Sequence, residues 1–292
     1  MQSRVGVLAH LQRLRAAACL CTQRLTLRPT LRPTLRLTSR PTLRLTLQPL
    51  LLLAAASLSL SLHAADLTVS AAASLTNAFR DLAPLFESAH PGTQVQLNFA
   101  ASGPLLQQII KGAPVDVFAS ADAESMDQAQ ARGLVQAGQR RNFAANRLVV
   151  VVPAASTLRP QALADLAGPA FQRVAIGLPA SVPVGRYTQA VLQAAGLWQL
   201  IEPRMIGAQN VRQALDYVAR AEVDAAFVYA TDAALMPDKV RVVLAVPTPQ
   251  PILYPVAALA ASPQRQLAQR FVDFLGAPAA QAVLARHGFG KP

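Results

Sequence analysis

The chain has 292 residues, with 27 Lys plus Arg against 15 Asp plus Glu, and a formal net charge of +12 would ordinarily suggest a nucleic-acid or anionic-membrane partner. Its location removes that reading: residues 1–65 hold nine Arg (Arg4, Arg13, Arg15, Arg24, Arg28, Arg32, Arg36, Arg40 and Arg44) and no Lys or acid, so 66–292 carries 18 bases against all 15 acids, a net charge of +3. Both cysteines, Cys19 and Cys21, also fall in this leader, which excludes disulfides, Cys-ligated zinc and cysteine catalysis from the remainder.

In chain order the leader comes first. Arg recurs every four residues from Arg24 to Arg44 in L-R-P-T and related tetrads, while Pro29, Pro33, Pro41 and Pro49 oppose a continuous amphipathic helix. Leu50 to Leu62 is an uncharged run of thirteen residues, which fits the apolar core of a secretory signal and falls short of the roughly 20 residues of a bilayer span. Small residues at Ala64 and Ala65 place cleavage beside them, so 1–65 reads as a signal peptide with an extended Arg-rich leader. No cysteine adjoins that site, which argues against a lipid anchor.

From Asp66 onward short β-rich runs alternate with helical ones, the pattern of an α/β protein with mostly parallel sheets. Strands are expected at Leu67–Ser70, Val95–Phe99, Val115–Ala119, Leu148–Val152, Val174–Ile176, Ala225–Tyr229, Val240–Val246 and Pro255–Ala260. Helices are expected at Leu75–Glu87, with Leu75, Phe79, Leu82 and Phe86 on one face, and at Pro104–Lys111, Gly185–Ala194, Val211–Ala219 and Gln264–Leu275. A second strand-helix series opens at Asn146-Arg147-Leu148, and Tyr254 to Leu259 reads as a strand crossing back. The expected organisation is a first lobe over 66–145, a second lobe over 146–249 and a return to the first lobe over 250–292.

Four strand-to-helix junctions carry the chemistry. Ser74 and Ser102 are expected as N-caps at the first two, with Gly103 allowing close approach and Pro104 in the first turn; the others are Val182-Pro183-Val184-Gly185-Arg186-Tyr187 and Gln209-Asn210-Val211-Arg212, with Asn210 as N-cap. Each helix start offers unpaired amides and about half a positive charge, so four converging starts supply about two charges of fixed dipole. That suits a dianion held without Lys or Arg, and Tyr229, ending an expected strand, adds a hydroxyl. Any one junction taken alone is an ordinary cap; their combination in one exported chain is what points to a ligand.

The same stretches resemble a known family, the periplasmic molybdate-binding proteins of ATP-binding-cassette molybdate transporters. The resemblance rests on Ala71 to Asn77 (AAASLTN), Phe99 to Gly103 (FAASG), Gly112 to Asp122 (GAPVDVFASAD), Asn146 to Pro153, Val182 to Tyr187, Asn210 to Leu215, Val228 to Ala233 and Tyr254 to Val256, in the family's order and across 66–292. It implies a two-lobed α/β periplasmic-binding-protein fold of type II, closing on a tetrahedral oxyanion in the cleft. It places two oxyanion-binding serines at Ser74 and Ser102, main-chain donors at Val184 and Val211, and a tyrosine donor at Tyr229, so that the molybdenum is met only through the oxygens of molybdate. Val184, where the family commonly has Ala, and Ala101, where some members have Ser, are departures that touch no hydroxyl. The implied partners are molybdate or tungstate and an inner-membrane permease; no other cofactor, no nucleic acid and a monomeric periplasmic state are expected.

The remaining polar groups are weighed against that reading. Arg186 and Arg212 lie close behind proposed amide donors but about 100° or more around their helices, so they are expected at the surface or between lobes, with Arg186→Ala changing binding little. Asp122 and Asp232 would repel a dianion and are expected to cap helices or bond across the hinge. His90 and His287 come with no acid or nucleophile at useful spacing, and Ser74 and Ser102 lack a G-x-S-x-G frame, so catalysis is not expected. The rivals are a binding protein for sulfate or phosphate, the latter favoured if Asp122 or Asp232 pointed inward, and a secreted hydrolase using Ser74 or Ser102.

Overall fold

Ten strands form two five-stranded sheets in a computed structural model that describes residues 65–292; the Arg-rich leader and the apolar run expected as a signal lie outside the described residues. In chain order the strands are β1 (Ala65–Ala72), β2 (Thr93–Ala100), β3 (Val117–Ala119), β4 (Arg141–Asn146), β5 (Leu148–Pro153), β6 (Val174–Gly177), β7 (Met205–Ala208), β8 (Ala225–Tyr229), β9 (Val240–Val246) and β10 (Ile252–Ala258). The first sheet runs β2-β1-β3-β10-β4 and the second β7-β6-β8-β5-β9. In each, three parallel strands are followed by one antiparallel strand, β10 or β5, and then by an edge strand. Both antiparallel strands are the ones that have just arrived from the other sheet, through Arg147 in one case and residues 247–251 in the other.

The helices are α1 (Thr76–Ala89), α2 (Ser102–Ile110), α3 (Ala123–Ala131), α4 (Pro183–Ala194), α5 (Trp198–Ile201), α6 (Val211–Ala219), α7 (Ala230–Ala233), α8 (Arg265–Leu275) and α9 (Pro278–Arg286). The spacing of Phe79, Leu82 and Phe86 lays them along one buried face of α1. That face meets α8: Phe271 packs edge-on to Phe86 with centroids 5.0 Å apart and to Phe79 at 6.0 Å. Burying each such ring stabilises the fold by about 2–3 kcal/mol, which anchors the C-terminal helix to the first sheet. The chain then ends against β4, where Ala145 and Gly290 exchange both main-chain hydrogen bonds at 2.8 and 2.9 Å.

Two strands, β4 and β7, were not expected from the sequence. Both are edge strands with weak local signals: β4 carries Arg141, Asn142 and Asn146, and β7 is only the four residues Met205–Ala208 with Gly207 inside it. They are strands because a neighbour supplies a hydrogen-bonding template, and local preference has little part in it. β10 starts earlier than expected, at Ile252, with a register shift at Tyr254 and Pro255, where proline has no N–H for the ladder.

Candidate functional site

The cleft between the sheets is lined where strands give way to helices. β1 passes into a 3-10 turn, Ala73–Leu75, that carries Ser74 before α1 begins. Ser102 is the first residue of α2, Val184 the second of α4 and Val211 the first of α6, so the amides of Ser102, Val184 and Val211 fall in first turns with no intrahelical acceptor. Tyr229 ends β8. All five residues line one cavity, whose other walls are Ala72, Ala73, Ala101, Ala121, Val182, Pro183 and Asn210. The cavity is about 10 Å³ on a scale where one water needs roughly 10–15 Å³, a space for a compact ligand in close contact with its walls.

Neither serine is an N-cap, contrary to expectation. Ala72 caps the 3-10 turn, Leu75 occupies the cap position of α1 and Ala101 that of α2, and no side chain closes any of them. Each hydroxyl is engaged elsewhere: Ser102 Oγ accepts the Ala121 N–H at 3.0 Å, and Ser74 Oγ lies 3.0 Å from Tyr254 Oη. Asn210 does cap α6, its Oδ1 accepting from Gln213 N at 3.0 Å. Tyr229 Oη is buried and has no hydrogen-bond partner among the described residues. Burial pushes its phenol well above the usual tyrosine value, so it remains a proton donor.

Among the described residues, no carboxylate and no guanidinium lines the cavity. Asp122 caps α3 through Ser125 N and takes a hydrogen bond from Ser120 Oγ, and Arg186 from the opposite lobe donates to it at 2.8 Å from Nε and 2.7 Å from Nη2. Asp232, fully buried, faces Arg212 Nε. Its carboxyl is pushed up to about 6, chiefly by burial and against the pull of Arg212. Arg212 also crosses the cleft, donating to Asn77 Oδ1 at 2.8 Å and to the Ser74 carbonyl oxygen at 3.1 Å. A third crossing is pure main chain: Gly103 N donates to Ser181 O at 3.1 Å, and a Cβ on Gly103 would stand 2.4 Å from that oxygen. The lobes are therefore closed on each other. The two arginines lie between the lobes. Asp122 caps a helix and bridges the lobes as expected, whereas Asp232 does neither and is held by Arg212 within its own lobe.

The two histidines lie elsewhere. His90 stacks on Phe86 and bonds its carbonyl, and His287 pairs with Asp81 on the surface. Two polar residues behind the cavity were missed in the sequence, Tyr254 and Asn146. Tyr254 read there only as part of a crossing strand; its motif, Tyr-Pro-Val, gave no sign that the hydroxyl reaches Ser74.

The sequence matches the family of bacterial extracellular solute-binding proteins over residues 67–290. It is 36% identical over 229 residues to the molybdate-binding protein ModA of Escherichia coli K12, covering 76% of this chain and 88% of that protein. The periplasmic molybdate-binding protein of Azotobacter vinelandii superposes with a TM-score of 0.66 at 27% identity, over 77% of this chain and 99% of that one. The substrate-binding domain of a molybdenum transporter, described as putative, from Clostridium difficile does so with a TM-score of 0.61 at 30% identity, over 78% and 99%. The fold is the two-lobed α/β fold of type II periplasmic binding proteins, and the chain belongs to the family of bacterial extracellular solute-binding proteins, alongside the ModA proteins.

Proposed function

We propose that this protein captures molybdate in the periplasm, with tungstate as a near-equal ligand, and delivers it to the permease of an ATP-binding-cassette transporter. The carrying observation is the composition of the cavity wall: Ser74, Ser102, Val184, Val211 and Tyr229 offer hydroxyls and amides, with no charged side chain of either sign among the lining residues. A dianion there is balanced by aimed helix starts and not by a counter-charge. Molybdate meets only donors. Hydrogen phosphate carries a proton that needs an acceptor, and neither Asp122 nor Asp232 lines the wall.

Size supplies the discrimination against sulfate. A shell closed by Gly103, Arg186 and Arg212 is sized for one tetrahedron, and a smaller one leaves each hydrogen bond too long. At about 1 kcal/mol for each imperfect bond, several together give a hundredfold to a thousandfold preference. The closed form is the one the permease recognises, and ligand shifts the lobes towards it. The protein acts as a monomeric carrier; it has no catalytic role and needs no cofactor beyond its cargo, and its leader is a signal removed near Ala64 and Ala65.

Titration calorimetry of 66–292 with molybdate, tungstate, sulfate and phosphate tests this reading. Tight binding of the first two and weak or absent binding of the others is expected. Sulfate or phosphate binding more tightly than molybdate would refute it.

A further inference from the structure

Tyr254 is wholly buried, and its hydroxyl has two polar neighbours, Ser74 Oγ at 3.0 Å and Asn146 Nδ2 at 3.1 Å. The orientation of the Asn146 amide is fixed by its other contacts: Oδ1 accepts the Arg147 N–H at 2.8 Å, and Nδ2 also donates to Thr231 Oγ1 at 2.9 Å. A flipped amide would set two donors against each other at Arg147, so it is an N–H that faces Tyr254. The Tyr254 hydroxyl must accept from Asn146, and among the described residues its own proton has one acceptor within reach, Ser74 Oγ. If the proton turned elsewhere, a buried O–H would go unpaired, at a cost comparable to a lost hydrogen bond.

We infer that Tyr254 is a positioning and specificity-determining residue, which, oriented by Asn146, occupies the rear lone pair of Ser74 and so obliges the Ser74 hydroxyl to donate its proton into the ligand cavity. The relay runs Asn146 N–H to Tyr254 O–H to Ser74 O–H to a ligand oxygen. Burial raises the Tyr254 phenol well above its usual value, so the relay keeps its proton through the neutral range. On the other side of the cavity Ser102 is set the same way, with the Ala121 amide filling one of its lone pairs. With one lone pair of each oxygen taken from behind, each serine proton turns towards the cavity, and both serines meet a ligand oxygen as donors. The inference rests on the oxyanion reading of the cavity and adds the group that sets the polarity of one of its hydroxyls.

The test is a double-mutant cycle on 66–292 by calorimetry with molybdate at pH 8. Tyr254→Phe keeps the ring, which packs against Tyr229, Phe143 and Phe289 with centroids 5.4 to 6.4 Å away, and removes only the hydroxyl. It is expected to weaken molybdate binding roughly 3- to 10-fold in the wild-type background and to have almost no effect in the Ser74→Ala background. A residue with only a structural role would cost the same in both, and such additivity overturns the inference while leaving the cavity reading standing. Should Ser74→Ala itself leave molybdate binding unchanged, the cavity reading and the inference fall together. Asn146→Ala provides a second cycle, with a smaller loss that also vanishes with Ser74→Ala. Hydrogen arsenate, a tetrahedral oxyanion that bears a proton, is the specificity probe: Tyr254→Phe should narrow the molybdate-to-arsenate preference several-fold, and an unchanged preference counts against the relay.

Discussion

Arg212 on one lobe donates from Nη2 to the carbonyl oxygen of Ser74 on the other, at 3.1 Å. Ser74 is thereby held from both sides, through its main chain by the second lobe and through its hydroxyl by Tyr254 of the first sheet. A proposed ligand donor and a lobe-closing contact meet in one residue. Ordering of Ser74 and closure of the lobes are then a single event, which is how a small ligand can select a global state.

Removal of Arg212 should be felt first as instability. Arg212→Ala strands the fully buried Asp232 carboxylate, and breaking a buried pair from one side costs roughly 3 kcal/mol. Urea unfolding should show a loss of that order, and adding Asp232→Asn should recover much of it because the stranded charge disappears. If the double variant is no more stable than Arg212→Ala alone, the pair is not the source of the loss.

Gly103→Ala separates closure from stability. The added Cβ meets the Ser181 main-chain oxygen at 2.4 Å only when the lobes are shut, whereas alanine favours a helix by up to about 1 kcal/mol over glycine. Overpacking of this kind costs roughly 1–3 kcal/mol, so molybdate affinity should fall at least fivefold with the ligand-free melting temperature unchanged or raised. Calorimetry beside thermal unfolding reads both. Equal affinity would mean that the Gly103–Ser181 contact is not part of the bound form.

For the hydroxyls themselves, Ser74→Ala and Ser102→Ala should each weaken molybdate binding by roughly 1–3 kcal/mol, since each leaves a ligand oxygen short of a donor in a dry cavity. The side chain of Val184 offers no polar atom, so Val184→Ala should change affinity by less than about 1 kcal/mol. A large loss there would show that side-chain packing, and not the amide, is what that position supplies.

Arg186 calls for a larger effect than its position in the sequence implied. The expectation of little change at Arg186→Ala came from the helical turn separating it from the Val184 amide. In the structure that same turn aims it across the cleft at Asp122 and at Ser125 Oγ, 2.8 Å away. It touches no ligand position yet contributes to the closed form, so Arg186→Ala should weaken molybdate binding roughly 3- to 10-fold by calorimetry. Arg186→Lys, which loses the fork and keeps the charge, should fall between.

Much of this architecture was legible because the informative residues are local signals. Strand-to-helix junctions, a glycine at the start of α2 and an asparagine before α6 announce themselves in a few adjacent positions, and the structure brings Ser74, Ser102, Val184, Val211 and Tyr229 to one cavity. What escaped the sequence depends on distant partners. β4 and β7 are strands through pairing alone, and Tyr254 reaches Ser74 across 180 positions of chain. The capping role given to Ser74 and Ser102 failed for the same reason, because Tyr254 and Ala121 compete for their hydroxyls and neither is near them in sequence.

Asp232 gives the fold a pH dependence of unusual sign. Its folded value of about 6 lies above the 3.8 of a free carboxyl, so between roughly pH 4 and 6 the native state keeps a proton that the unfolded chain has released. Stability from this group is therefore present at the acid end of that window and is lost as pH rises through 6, opposite to an ordinary salt-bridged aspartate. Asp232→Asn, permanently neutral, should remove this component, so the difference in unfolding free energy between Asp232→Asn and wild type should move in favour of the variant from pH 4 to pH 6.5. Urea midpoints at a series of pH values measure it, and a constant difference across the window would mean that Arg212 holds Asp232 ionised throughout.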